Sequence, residues 1–280
     1  MKDDKPIITR VIQVTLKVSN LEEMTSFYQR HIGLRTNQIR QDAVGLSADG
    51  ERDLLVLERI DESIPPPPDA TGLYHIALLL PSRTALADQL IHFRKMGTKL
   101  QGASDHHVSE AVYLSDPEGN GIELYADREG IAPGDMGTDQ LPIQDVLKEA
   151  SGKPWQGLPP NTVVGHVHLK VNDLDKTAAF YRDILGFDLI MQMGHSAVFL
   201  STGGYHHHIA LNTWESADGL PPPRNSTGLK QISLAADDDC WTEEVKNKLD
   251  LNGISATERT SGLYVTDPSG NGIHLLGLKK

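Results

Sequence analysis

The amino-acid sequence repeats itself, and this repeat constrains the fold more than any other feature. The segment VTLKV at Val14–Val18 returns as VHLKV at Val167–Val171, an offset of 153 residues (167 − 14). The motif DP-x-G-N-G-I begins at Asp116 and again at Asp267, an offset of 151 (267 − 116). Self-similarity of this kind is the signature of a fold built by duplication.

Each copy of the repeat is itself made of two units, so the chain has the order A-B-A′-B′. The two B units open at Thr71 and Thr227 with the shared letters TGL, each after a run of prolines. Every unit begins with a strand of alternating polarity, and a helix follows, as at Leu174–Leu185, where apolar residues recur at helical spacing. Gly33 and Gly186 lie where a left-handed residue would end this helix. Three short strands complete a βαβββ module.

Four modules and one linker therefore account for the chain. They span residues 8–62, 71–128, 163–215 and 226–280, with the linker at 129–160. The linker is rich in Gly, Pro and Asp, and one short helix is predicted near 143–150. A single module has a concave sheet face that it cannot bury alone. We therefore predict an α+β fold in which four modules pair into two cup-shaped mixed sheets.

Composition excludes several other classes of protein. The formal net charge is −12, and no basic stretch is present to neutralise nucleic-acid phosphates. No apolar run approaches the roughly 20 residues that cross a bilayer, and the N-terminus lacks the apolar core of a signal peptide. One cysteine, Cys240, cannot form an internal disulfide. We expect a cytoplasmic protein without a nucleic-acid or membrane partner; the sequence leaves a homo-oligomer open.

The paired openings (KV-x-x-L…FY…G) and closings (DP-x-G-N-G-I) resemble the vicinal oxygen chelate superfamily of glyoxalases, bleomycin-resistance proteins and extradiol dioxygenases. This resemblance covers nearly the whole chain outside the linker. Three longer segments, TGLYHIALLLPSR (71–83), VSEAVYLSDPEGNGIELYADR (108–128) and GGYHHHIALNTW (203–214), are similar to the two-domain catechol 2,3-dioxygenase family of the CatE type. The resemblance implies the glyoxalase fold and a non-heme metal.

In that superfamily the metal ligands come from the first and last strands of a module. The equivalent positions hold, on the four first strands, Gln13, His75, His166 and Gln231, and on the last strands of modules two and four, Glu123 and His274. Only the pairing of modules two and three brings two histidines and a carboxylate together, as His75, Glu123 and His166. This set suits Fe(II), with Mn(II) as the alternative. We expect His75 and His166 within roughly 5 Å of each other across the site.

A run of three histidines ends at His208 in module three. The run resembles the HHS-x-A segment of biphenyl-type extradiol dioxygenases, which implies that His208 is the catalytic acid–base. His168 shares a strand face with the ligand His166, and the sequence leaves open whether it lines the pocket or covers its rim. His274 occupies a ligand position in module four and is interpreted as a vestige rather than part of a second metal site.

Tyr113 precedes Glu123 by ten residues (123 − 113), the spacing between the active-site tyrosine and the glutamate ligand in catechol 2,3-dioxygenases. The same resemblance places a further histidine close to the metal, upstream of the tyrosine. His106 is the better candidate for that residue, but a shorter loop in this chain leaves His107 open as well. Tyr113 and His106 are therefore predicted to assist His208 in catalysis.

The implied function is extradiol cleavage: O2 is inserted into a catechol beside its two hydroxyls, giving a hydroxymuconic semialdehyde-type product. Two alternatives stay open. One is a ring-cleaving dioxygenase of the same superfamily that acts on hydroquinones, and the other is a metal-free protein that binds or sequesters an aromatic molecule. A glyoxalase-type isomerase fits less well, because it typically uses four protein ligands that include two glutamates. The expected partners are a small aromatic diol and O2, and the ring substituents are not predicted.

Overall fold

The computed structural model describes residues 7–238 and 240–277, so positions 278–280 of module four lie outside the described residues. Module one comprises β1 (Thr9–Val18), α1 (Leu21–Phe27), β2 (Arg35–Arg40), β3 (Ala43–Ser47) and β4 (Asp53–Arg59). Module two comprises β5 (Gly72–Leu79), α2 (Arg83–Met96), β6 (Gly102–Asp105), β7 (Ser109–Ser115) and β8 (Gly121–Asp127). Both have the predicted βαβββ order.

Between modules two and three lie β9 (Asp139–Gln140) and α3 (Ile143–Leu147). Module three comprises β10 (Val163–Lys170), α4 (Leu174–Ala179), β11 (Asp188–Met193), β12 (Ala197–Ser201) and β13 (Ile209–Asn212). Module four comprises β14 (Gly228–Ala236), α5 (Trp241–Leu251), β15 (Thr257–Arg259), β16 (Gly262–Thr266) and β17 (Gly272–Leu276). The short helix predicted near 143–150 is present as α3.

The helices of modules one and three begin and end as their sequences predict. The side chains of Asn20 and Asp173 accept hydrogen bonds from backbone N–H groups three residues later, which caps each helix. Both helices continue into one π-helical turn. The chain then leaves through Gly33 and Gly186, at φ of +94° and +82°, which glycine adopts without a steric penalty.

The strands form two mixed sheets. One sheet has the order β15-β16-β17-β14-β1-β4-β3-β2 and contains modules one and four. The other has the order β11-β12-β13-β10-β5-β8-β7-β6-β9 and contains modules two and three. The first strands of the two modules lie antiparallel at the centre of each sheet, β1 beside β14 and β5 beside β10. This is the pairing that the ligand positions predicted.

Two repeated motifs connect the sheets to each other. The buried Tyr28 hydroxyl of module one donates a hydrogen bond to Asp116 Oδ2 of module two, at 2.9 Å. The equivalent contact joins Tyr181 of module three to Asp267 of module four at 3.4 Å. Burial raises the pKa of each aspartate to about 6, although nearby hydrogen bonds act in the opposite direction. The repeated FY and DP motifs therefore link each A module to the B module that follows it.

The segment between modules two and three does more than connect them. Asp139–Gln140 pairs antiparallel with β6 and adds a ninth strand to the sheet of modules two and three. A two-residue strand has no periodicity, so the sequence could not predict it. No helix within the described ranges is long and apolar enough to cross a membrane.

Candidate metal centre

His75, Glu123 and His166 lie on three adjacent central strands. The sheet order β10-β5-β8 puts His166, His75 and Glu123 on neighbours, in that order. Ala77 of β5 is aligned with Glu123 on the neighbouring strand β8 and with His166 on the neighbouring strand β10. One potential ligand atom from each residue lies within 4.8 Å of the others. All three side chains are buried.

The distances among these atoms fit a shared metal ion. Glu123 Oε2 is 3.0 Å from His75 Nε2 and 3.3 Å from His166 Nε2. Two ligands at right angles, each about 2.1 Å from one ion, would be about 3.0 Å apart. His75 Nε2 is fully buried, yet its contact with the Glu123 carboxylate does not count as a hydrogen bond. This nitrogen has no other hydrogen-bond partner among the residues that the structure describes. An ion among the three residues would satisfy it.

Protonation at this cluster also suits metal binding. Burial alone would raise the pKa of Glu123, but His166 and His75 outweigh it and hold that pKa well below the usual value. Burial lowers the pKa of His166 to about 4. Glu123 is therefore a carboxylate and His166 a neutral imidazole near pH 7, which are the forms that coordinate metals.

The cluster lies at the wall of a cavity of about 710 Å³ between the strands of modules two and three. Apolar side chains, including Leu73, Met191, Met193, Phe199 and Trp214, line much of it. Residues 136–138 of the segment between the modules also contribute, a role that no local sequence pattern indicated. Cavities of ~300–1,000 Å³ with a few polar groups are typical of small-molecule sites.

Tyr113 and His106 meet beside the cluster. The Tyr113 hydroxyl lies 2.5 Å from His106 Nε2, and both residues line the cavity. His106 Nδ1 contacts the Gly137 carbonyl at 3.1 Å, which fixes the imidazole from its other side. Burial and the charge of Glu123 raise the pKa of the Tyr113 phenol, so it stays protonated. The choice left open between two histidines falls on His106, because His107 is exposed and pairs with Asp139.

Of the three histidines in the run, the structure places His207, and not His208, on the cavity wall. His208 is absent from the described residues that line the cavity, whereas His207 is among them. His208 Nδ1 lies 3.0 Å from Ser201 Oγ and accepts from the Thr202 N–H at 3.4 Å. Side-chain alternation holds only along a strand, and β13 begins at Ile209, after the histidine run. Alternation therefore could not decide which histidine faces the cavity.

His207 occupies the position expected of His208. Its ring lies 4.1 Å from the ring of His166, centroid to centroid. Its Nδ1 contacts His206 Nδ1 at 2.7 Å, and His206 Nε2 contacts Asp127 at 3.0 Å. The signal was available in the sequence: laying HHS-x-A letter by letter on residues 206–210 puts the second histidine at 207.

The two remaining histidines now have defined surroundings. His168 lines the cavity and is fully buried, so it is not a rim residue. His274 belongs to the other sheet, where its Nε2 lies 3.4 Å from Ser261 Oγ. Within the described residues, the cluster of His75, Glu123 and His166 is the one group positioned to hold a metal.

Comparisons with known proteins agree with this architecture. The family model of the glyoxalase/bleomycin resistance protein/dioxygenase superfamily matches residues 10–124 and 163–275. The chain is 39% identical over 271 residues to a catechol-2,3-dioxygenase of Bacillus subtilis (strain 168), covering 93% of this chain and 94% of that protein. It is 24% identical to a metapyrocatechase of Geobacillus stearothermophilus, covering 96% of this chain and 81% of that protein.

Solved structures share the fold at low sequence identity. Glyoxalase I from Zea mays superposes with a TM-score of 0.61 at 14% identity, covering 96% of this chain and 92% of that one. The family-model match covers both halves of the chain, and the Bacillus relative spans nearly all of it. The chain therefore belongs to the glyoxalase/bleomycin resistance protein/dioxygenase superfamily.

Proposed function

We propose that this protein is an extradiol ring-cleaving dioxygenase that acts on a catechol with O2 at a non-heme Fe(II). The convergence of His75, His166 and Glu123 at the wall of a cavity carries the proposal. Two histidines and one carboxylate leave coordination positions free for a diol and for dioxygen. The similarity to a Bacillus catechol-2,3-dioxygenase supports the same reaction class.

The reaction inserts both atoms of O2 into the product, so it needs no external reductant. The ring bond beside the two hydroxyls breaks, the O–O bond breaks, and a hydroxymuconic semialdehyde-type acid forms. Bound Fe(II), held by His75, His166 and Glu123, would bring the diol and dioxygen together and act as a Lewis acid. Mn(II) accepts the same ligands and is the alternative ion.

His207, rather than His208, is the proposed acid–base in this reaction. It lines the cavity next to His166, within reach of a diol bound at the cluster. Its Nδ1 is engaged with His206, which leaves Nε2 to accept a phenolic proton and return it later. The His106–Tyr113 pair lines the same cavity: His106 Nδ1 donates to the Gly137 carbonyl, so the phenol donates to Nε2 and its oxygen can accept a hydrogen bond from the substrate.

Anaerobic loading with Fe(II), followed by catechol and isotopically labelled O2, tests this proposal. We expect a yellow ring-fission product that carries both labelled atoms, and a parallel sample loaded with Mn(II) compares the two ions. Hydroquinone is the matched negative substrate, because its para hydroxyls cannot chelate one ion. Cleavage of hydroquinone but not catechol, or tight aromatic binding with no metal uptake, would overturn the proposal.

A further inference from the structure

The cavity is larger than an unsubstituted catechol requires, and it has a polar row on one wall. A volume of about 710 Å³ lies in the range that encloses drug-sized ligands. Along β10, His166, His168 and Lys170 are two residues apart and all line the cavity. The row therefore runs from the metal cluster outward for about 13 Å.

Lys170 ends this row and is the only lysine or arginine among the described residues that line the cavity. Its side chain is 15% exposed. Its acidic neighbour is Glu215, which also lines the cavity; Nζ and Oε2 are 3.8 Å apart, and the Glu215 side chain is 57% exposed, so it can turn to solvent when a second anion binds. A largely buried ammonium with one distant and solvated partner can accept a second anion at short range.

His168 supplies a second polar group between Lys170 and the metal cluster. It is 4% exposed, and its buried Nε2 has no hydrogen-bond partner among the described residues. Tyr74 and Trp214 contact its ring, each at a centroid distance of 5.1 Å. A buried, unpaired ring nitrogen costs stability unless a ligand satisfies it, so this position also points to a polar group on the substrate.

We propose that His168 and Lys170 form a subsite for the acidic side chain of the substrate, which is then a catechol bearing a carboxylate-ended substituent. This inference rests on the proposed function, because the diol must bind at His75, His166 and Glu123 for the side chain to reach Lys170. Apolar side chains that line the same cavity, Leu73, Phe199 and Trp214 among them, would cover the aromatic ring and the carbon chain.

The test compares 3,4-dihydroxyphenylacetate with its methyl ester, which differ in charge but share the diol. We measure anaerobic binding to the Fe(II)-loaded protein by calorimetry, and kcat/KM in air. The wild-type protein should prefer the acid by about tenfold or more, the effect of one charge-assisted hydrogen bond. Lys170→Met should bring the acid-to-ester ratio close to one, and Lys170→Arg should preserve it. His168→Phe should lower the ratio by a smaller factor.

Lys17→Met is the matched control, because Lys17 is the equivalent of Lys170 in module one and lies outside the cavity. It should leave the acid-to-ester ratio unchanged. Equal affinity for acid and ester in the wild type, or an unchanged ratio in Lys170→Met, would overturn the subsite. Failure to cleave unsubstituted catechol would count against the proposed function instead, and the anaerobic binding ratio would still decide the subsite.

Discussion

The two sheets have the same module order but treat their central polar residues differently. In the sheet of modules one and four, Gln13 donates to the Asp53 carbonyl at 3.1 Å, and Gln231 accepts from Arg259 at 2.9 Å. The Arg259 guanidinium in turn covers the Tyr264 ring at 4.0 Å. Protein groups thus satisfy both glutamines at the positions equivalent to His75 and His166.

In the sheet of modules two and three, the equivalent position on β5 holds His75, whose Nε2 makes no hydrogen bond within the described residues. A buried polar group of this kind costs about 1–3 kcal/mol when nothing pairs with it. The comparison indicates that protein groups satisfy the glutamines of one sheet, whereas His75 Nε2 in the other is left for an ion to satisfy.

The largest expected effect separates the two halves by activity. His166→Ala removes a proposed ligand and should abolish measurable catechol cleavage after Fe(II) loading. Gln13→Ala changes the equivalent position in module one and should leave kcat/KM within about twofold of the wild type, because that half holds no reacting group. Steady-state oxygen uptake measures both variants, and comparable losses in the two would break the comparison.

In the protein without metal, the sheet of modules two and three should lose its structure before the other sheet as the pH falls. Burial lowers the pKa of His166 to about 4 and of His208 to about 3, and it lowers the pKa of His168 and His207 as well. A depressed histidine pKa gives stability that is complete above the ordinary value of 6.5 and is lost as pH falls below it. Each histidine should cost about 1 kcal/mol per pH unit in that window.

Hydrogen exchange on the metal-free protein between pH 7 and pH 5 checks this expectation. Amides of β5, β10 and β13 should lose protection at higher pH than those of β1 and β14. Bound Fe(II) should move the loss to lower pH, because protons compete with the metal for the same nitrogens. The pKa of His274 in the other sheet is also lowered, but His166, His168, His207 and His208 all lie in the sheet of modules two and three. Simultaneous loss in both sheets would contradict this concentration of acid-sensitive histidines in one half.

The histidine run gives a sharper contrast within one module. His207→Ala should lower kcat by about 10² or more while iron binding is kept, since it removes the acid–base. His208→Ala should cost stability through its contacts with Ser201 and Thr202 but retain most of kcat. Rapid-mixing kinetics with iron analysis separates the two. The reverse ranking would restore His208 as the catalytic residue.

The smallest effect concerns the two links between the sheets. Tyr28→Phe removes the hydroxyl that donates to Asp116 at 2.9 Å, and it should lower the free energy of unfolding by about 1–2 kcal/mol. Tyr181→Phe should cost less, because its contact with Asp267 is 3.4 Å long. Urea denaturation measures both variants. A larger loss in Tyr181→Phe would show that the two links are not ranked by their hydrogen-bond lengths.

Much of this architecture is visible in the sequence because duplication supplies its own alignment. The offset of 153 residues marks His166 and Gln13 as equivalent, and the ligand positions implied by the resemblance to the superfamily led to the pairing of modules two and three. The histidine of the run that lines the cavity was not identified in this way. Strand alternation cannot choose between His207 and His208 without the residue at which β13 begins, because one residue of error in a strand reverses every side chain. A letter-by-letter alignment of the HHS-x-A segment does choose, and it selects His207.

Other parts of the site depend on contacts that a local pattern cannot encode. His106 faces Tyr113 because Gly137, distant in sequence, holds its other nitrogen. Lys170 was not singled out from the sequence, although it shares a strand face with His166 and His168. The distance and exposure of its pairing with Glu215 come only from the structure. Sequence periodicity gives the face of a residue and not the partners it meets there.

Anaerobic Fe(II) titration, followed by metal analysis of the desalted protein, tests the central claim most directly. We predict one tightly bound ion per chain in the wild type and in His274→Ala, and none in Glu123→Ala. Two ions per wild-type chain, or one ion retained by Glu123→Ala and lost from His274→Ala, would contradict the confinement of the metal centre to modules two and three.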